Sequence, residues 1–215
     1  MFQQDRYPRR LTQLLGGLIL YGVSMAMMVQ ANLGLDPWDV LHQGLAPRLG
    51  LSFGLTVNLI GLAVLALWLP LRQRPGVGTI LNILVIGTVT DIALAVLPQP
   101  ESLPLRLLML VAGIVLNGIA GGAYIGAGLG PGPRDGLMTG FCRKTGMPVK
   151  VVRTAIELSV LAVGWMLGGT VGLGTVLYAA SIGWVVHYAL SAFTLESKTP
   201  RATRVQGATH TGEPG

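Results

Sequence analysis

Long apolar runs alternate with short polar-edged segments along the whole chain. Six stretches are free or nearly free of charge, at 11–31, 53–71, 77–97, 104–127, 149–168 and 173–194. Each is long enough for a bilayer, which takes roughly 20 apolar residues. Two segments of another kind lie between them, at 33–45 and 129–141. Each opens with a glycine-bearing turn and continues as a helix with Pro37 or Pro133 at its first position, where a missing N–H costs nothing. The pattern predicts short helices over 37–48 and 133–145, ending at Gly50 and Gly146 as left-handed caps. Helices of that length run about 15–20 Å and cannot cross a bilayer.

The two halves repeat. Residues 33–91 placed on 129–187, a shift of 96, match at 20 of 59 positions without a gap. Eight matches are Gly, Pro or Asp: Gly34/Gly130, Pro37/Pro133, Asp39/Asp135, Gly44/Gly140, Gly50/Gly146, Gly76/Gly172, Gly78/Gly174 and Gly87/Gly183. Gly and Pro set backbone shape and an Asp in apolar surroundings is costly, so these matches imply a shared local fold. The first apolar run aligns with 107–127 at the same shift, which reads it as a retained membrane helix rather than a leader. The expected architecture is an all-α polytopic membrane protein of six transmembrane helices in two repeats, 11–97 and 104–194. Residues 1–10 precede them, and the polar, Gly/Thr-rich tail 195–215 is expected to be disordered. Three crossings per half invert the second copy relative to the first, a plan common in transporters.

Charge supports that orientation. The chain is 51% hydrophobic and 11% charged, with mean hydropathy +0.62 and net charge +6. With a cytoplasmic N-terminus, 13 of the 15 basic residues fall on the inside, and only Arg48 and Arg106 fall outside. The positive-inside rule accounts for this asymmetry, so the basic balance points to a lipid bilayer and not to nucleic acid. Cys142 stands alone, which excludes a disulfide framework.

Each short helix has one apolar face (Trp38, Leu41, Leu45; Leu137, Phe141) and one polar face (Asp39, Gln43; Asp135, Thr139, Arg143). Asp36 is placed to cap the first helix, while Asp39 and Asp135 sit in first turns, where the dipole favours a carboxylate. Two arrangements fit: helices lying flat at the interface, or half-helices dipping in from opposite faces to line a path. In the second, the path is built from Gly34, Asp36, Pro37, Trp38, Asp39, His42 and Gln43 of one copy and Gly130, Pro133, Arg134, Asp135 and Thr139 of the other.

The signatures Gly-Leu-x-Pro-Trp-Asp-Val-Leu-x-x-Gly at 34–44 and Gly-x-Gly-Pro-Arg-Asp-Gly-Leu-Met at 130–138 resemble those of the YczE-like bacterial membrane proteins, within the YczE/YyaS/YitT grouping. The resemblance covers about residues 10–195. It implies a small multi-pass protein of the bacterial inner membrane, in a group with some members linked to lipopeptide or antibiotic production and others resembling exporters.

Ionisable residues within spans are functional candidates by default. Asp91, Glu157 and His187 are read as a proton-sensitive set, against a simpler reading of local ties, chiefly Arg153 with Glu157. Asn58, Asn82 and Asn117 suit hydrogen bonds between helices, and glycines at 118, 122, 126 and 130, and at 164, 168 and 172, suit tight crossings, within one chain or between copies of a homo-oligomer. No enzyme motif, cofactor fingerprint or metal-ligand spacing is present in the sequence. The expectation is a secondary transporter or exporter of a small amphipathic or anionic molecule, possible coupling being to protons. The rival is a membrane accessory or regulatory protein of a biosynthetic system, of the lipopeptide or antibiotic type, that moves nothing.

Overall fold

The computed structural model describes residues 7–194, and every described element is helical. In order they are α1 (Tyr7–Ala31), α2 (Pro37–Leu49), α3 (Phe53–Ala66), α4 (Trp68–Leu71), α5 (Val77–Val96), α6 (Leu103–Gly126), α7 (Pro133–Thr145), α8 (Val149–Met166) and α9 (Leu173–Phe193). The tail 195–215 expected to be disordered lies outside the described residues. Among the described residues, five segments are long and apolar enough to cross a membrane: α1, Phe53–Leu71, α5, α6 and α9. Helix α8 is 18 residues long and carries Lys150, Arg153 and Glu157, which keep it out of that class. Large apolar side chains such as Val96, Leu108, Val176 and Trp184 cover the outside, as a lipid-facing surface requires.

Local chemistry explains the boundaries. The Asp36 carboxylate accepts from Trp38 N and Asp39 N at 2.9 and 3.2 Å and so caps α2, and Gly50 and Gly146 close α2 and α7 in the left-handed conformation. The run 53–71, expected as one helix, breaks at Leu67. Pro70 has no N–H to bond the Ala66 carbonyl, so α3 stops there. The break turns Trp68 inward, where it is 2% exposed.

Helix directions follow from the crossings. Gly17 of α1 lies against Ala120 and Tyr124 of α6, and Gly113 of α6 against Ser24 and Met28 of α1, so these helices run antiparallel. Gly118, Gly122 and Gly126 face Val185, Ala189 and Phe193 in that order, so α6 and α9 run parallel. Gly22 meets Ile86 and Val89, while Gln30 donates to the Leu94 and Leu97 carbonyls, which makes α1 and α5 parallel too. The 118–126 glycines thus form an intrachain crossing. The 164, 168 and 172 series does not continue along a helix: α8 ends at Met166, Gly168 lies in the loop with φ +93°, and Gly172 caps α9.

One backbone contact occurs twice at a 96-residue spacing. Gly174 N donates to Leu33 O, and Gly78 N donates to Leu129 O, both at 2.8 Å. Gly34 (φ +110°) lies against Gly172, and Gly130 (φ +128°) against Gly76. Only glycine combines a left-handed backbone with so close an approach. Thr79 and Thr175 cap α5 and α9 in the same way, each accepting from the N–H three residues earlier.

Candidate functional site

Helices α2 and α7 meet at their N-terminal ends in the middle of the molecule. Pro37 and Pro133 start them, and the caps at Asp36 and Gly132 set their direction. The first ten residues of α2 are buried or half-buried on every side, Asp39 being 0% exposed. A helix lying flat with its polar face in water is therefore excluded for α2. Half-helix N-termini carry partial positive charge, and three carboxylates sit beside this pair.

Arg134 is the hub. Its Nη1 is 3.8 Å from Asp36 Oδ1 and its Nη2 is 3.7 Å from Asp39 Oδ1, too long for direct hydrogen bonds. Its Cζ stands 4.9 Å from the centre of the Trp38 ring, a cation–π distance. Trp38 and Arg134 are 96 residues apart, so equivalent positions of the two segments stack on one another. The charge count places Arg134 among the inside loop residues; in the fold it faces this buried cluster instead.

His42, one turn along α2, bonds Asp39 Oδ1 through Nδ1 at 3.0 Å. Asp39 Oδ2 is buried and has no partner. Burial pushes the Asp36 carboxyl up to about 7, with Asp39 adding to the effect and Arg134 opposing it. Burial also raises Asp39 against the pull of Arg134 and lowers His42 well below the ordinary histidine value. A neutral His42 then donates Nδ1–H to the carboxylate. Asp135 accepts from the Tyr124 hydroxyl at 2.9 Å.

Three cavities of about 90, 130 and 210 Å³ adjoin the cluster, and Tyr21 and Asp135 line all three. The first also reaches His42 and Asn82, the second Asp36, Arg153 and Glu157, and the third Asn117 and Tyr178. The sequence pattern does not single out Tyr21, Tyr124 or Tyr178. A signal exists in principle, since a tyrosine inside an apolar span must find a partner for its hydroxyl. The shift of 96 also pairs Tyr21 with Asn117 and Asn82 with Tyr178.

The other expected site residues make the following contacts. Gln43 Oε1 accepts from Thr170 N at 2.7 Å, tying α2 to the α8–α9 loop. Gly34 and Gly130 make the close backbone approaches described above, Pro133 O accepts from Trp68 Nε1 at 3.0 Å, and exposed Thr139 donates to Gly136 O. Asn58 Nδ2 reaches Thr88 at 3.4 Å; Asn117 donates to Ser24 and accepts from Tyr178, both at 3.0 Å. Asp91, Glu157 and His187 do not come together. Asp91 accepts from Ser52 Oγ, Gly54 N and Leu55 N and so caps α3 from across the α5 seam. Glu157 pairs with Arg153 at 2.9 Å, and exposed His187 meets only the edge of Tyr188. Among the described residues, no group of three His, Cys, Asp or Glu is placed to hold a metal ion.

The model of a family of unknown function, DUF6198, matches residues 8–191. An uncharacterized protein of Haemophilus influenzae is 43% identical over 178 residues, 83% of this chain and 82% of that one. The uncharacterized membrane protein YczE of Bacillus subtilis is 36% identical over 184 residues, 84% and 85% of the two chains. The uncharacterized protein YyaS of the same organism is 25% identical over 175 residues, 80% and 87% of the two chains. No solved structure matches. The segments that build the central cluster fall inside the matched region, and the chain belongs to the DUF6198 family, with YczE among its relatives.

Proposed function

We propose that this protein is a secondary transporter of a small amphipathic molecule across the bacterial inner membrane, with six crossings, inverted-topology halves and both termini cytoplasmic. The single observation that carries the reading is the buried Asp36–Arg134–Asp39 cluster at the meeting point of two half-helices, opened on several sides by cavities. A purely structural core gains nothing from charged groups that are buried and loosely paired. Transporter sites, by contrast, commonly sit where broken helices point their ends at a substrate.

The sixth crossing rests on direction. Helices α6 and α9 run parallel, so the chain must return between them, and α8 at about 27 Å is long enough to do it. The antiparallel crossing of α1 with α6 and the doubled Leu33–Gly174 and Leu129–Gly78 contacts suit halves related by a two-fold axis in the membrane plane.

Access runs between α8 and α9. The equivalent pair α3 and α5 packs tightly where Gly87 meets Gly54 and Asn58, whereas α8 leans on α2 and α7. Cavities lined by Arg153 and Glu157 of α8 and by Tyr178, Ile182 and Gly183 of α9 fill the space. One seam tighter than its counterpart is an asymmetry that suits alternating access.

The test is flux in proteoliposomes, with and without a proton gradient, for wild type and Asp39→Asn. Asp39 is not a cap, and Asn keeps its size, so the variant should hold its thermal stability and lose transport. Absence of flux in wild type for every amphipathic probe would leave an accessory role instead.

A further inference from the structure

The chemistry of the central cluster defines what it can hold. Two carboxylates, Asp36 and Asp39, face the Arg134 guanidinium, while Asp135 beside them accepts from Tyr124 and Arg153 pairs with Glu157. That balance disfavours an anion. The walls are aromatic: the Trp38 ring and Tyr21, Tyr124 and Tyr178. Aromatic faces and carboxylates together are the usual surroundings of an organic cation. The structure already seats one there, since the Arg134 side chain lies over Trp38 between Asp36 and Asp39. Its hold is loose, at 3.7–3.8 Å, its side chain is 29% exposed, and Asp39 Oδ2 has no partner.

We propose that the substrate is an amphipathic organic cation, a guanidinium or ammonium group on an apolar body, and that it takes the place of Arg134 between Asp36 and Asp39. Arg134 is then a tethered occupant. It neutralises the carboxylates when the site is empty and swings towards the cavity when the ligand arrives. The ligand's apolar body lies along Val57, Ile60 and Ile83, which line the same cavity as Trp38 and Arg134. The cluster reads as a cation seat whether or not transport follows, although naming the ligand a substrate rests on the transporter reading.

Binding to the full chain in detergent tests this without requiring flux. The probes are benzylguanidine and benzyltrimethylammonium, against benzoate and benzyl alcohol, read by thermal shift and tryptophan fluorescence. Both cations should raise the melting temperature of wild type by several degrees, and the benzoate and alcohol should not. Arg134→Gln leaves two buried carboxylates without their counter-charge, so it should melt lower, and benzylguanidine should restore much of the loss. Asp36→Asn with Asp39→Asn should abolish the cation effect while leaving the α2 cap in place. Equal shifts with benzoate or benzyl alcohol, or cation shifts that survive the double Asn variant, would overturn the proposal. If Arg134→Gln does not fold, the wild-type and double-Asn arms decide alone. Cation binding without flux would remove the transporter reading and keep the seat; flux of anions without cation binding would do the reverse.

Discussion

At the scale of single residues, the central cluster is dominated by what burial does to charge. Asp36 is 3% exposed, and its carboxyl is raised to about 7 in the folded protein from 3.8 in an unfolded chain. The folded state therefore holds more protons between those values, and stability must fall as pH rises from about 4 to 7. A tenfold change in proton affinity corresponds to about 1.4 kcal/mol, so the expected loss is a few kcal/mol. Asp36→Asn keeps a good cap and removes the titration. Its melting temperature should vary less with pH than that of wild type across this window, as thermal unfolding in detergent at pH 4, 5, 6 and 7 would show. A variant that tracks wild type at every pH would assign the proton to another group. Much of this residue-level picture is legible in the sequence: Asp36, Asp39, Arg134 and Asp135 are marked by their place in the two Pro-bearing segments. Tyr21, Tyr124 and Tyr178 are not, because they lie in apolar spans far from those segments and only packing brings them together. Asp91 carries the opposite lesson. The sequence marks it as a carboxylate within a span, and only packing reveals that it accepts from the backbone of a neighbouring helix end.

Among the elements, length and place are set by apolar runs and by Gly and Pro punctuation. The short helices begin at the expected Pro37 and Pro133 and end at the expected glycines. The break at Leu67 escapes the sequence pattern because the window 53–71 carries no charge and Pro70 sits near its end, where a proline usually passes for a boundary. Pairing between helices is less legible, since a 96-residue repeat predicts equal seams and the seams differ. Gly87 is pressed between the Gly54 carbonyl and Asn58, with no room for a methyl group, while its counterpart Gly183 has open space around it. Gly87→Ala should then destabilise by about 2 kcal/mol or more through overpacking. Gly183→Ala should be neutral within about 0.5 kcal/mol. Equal melting temperatures for the two variants would mean that α8–α9 is as tightly closed as α3–α5.

For the whole molecule, the proposed topology places the 97–102 and 167–172 loops on one side of the membrane and residues 72–76 on the other. In a Cys142→Ser background, cysteines replacing exposed Gln99 and Val171 should react with an impermeant maleimide from outside intact cells, and a cysteine replacing exposed Arg74 should not. Labelling of position 74 alone would reverse the orientation. The backbone exchange between the halves bears on the order in which the protein is made. The Leu33 carbonyl, built early in synthesis, has its partner in Gly174, near the start of the last helix. That bond cannot form while the chain is still short of α9. The Leu129 carbonyl has no such wait, because Gly78 already exists when it emerges. Synthesis thus runs with one clasp pending until α9 is made, and a chain stopped before residue 173 would carry a packed first half whose Leu33 carbonyl still awaits its partner.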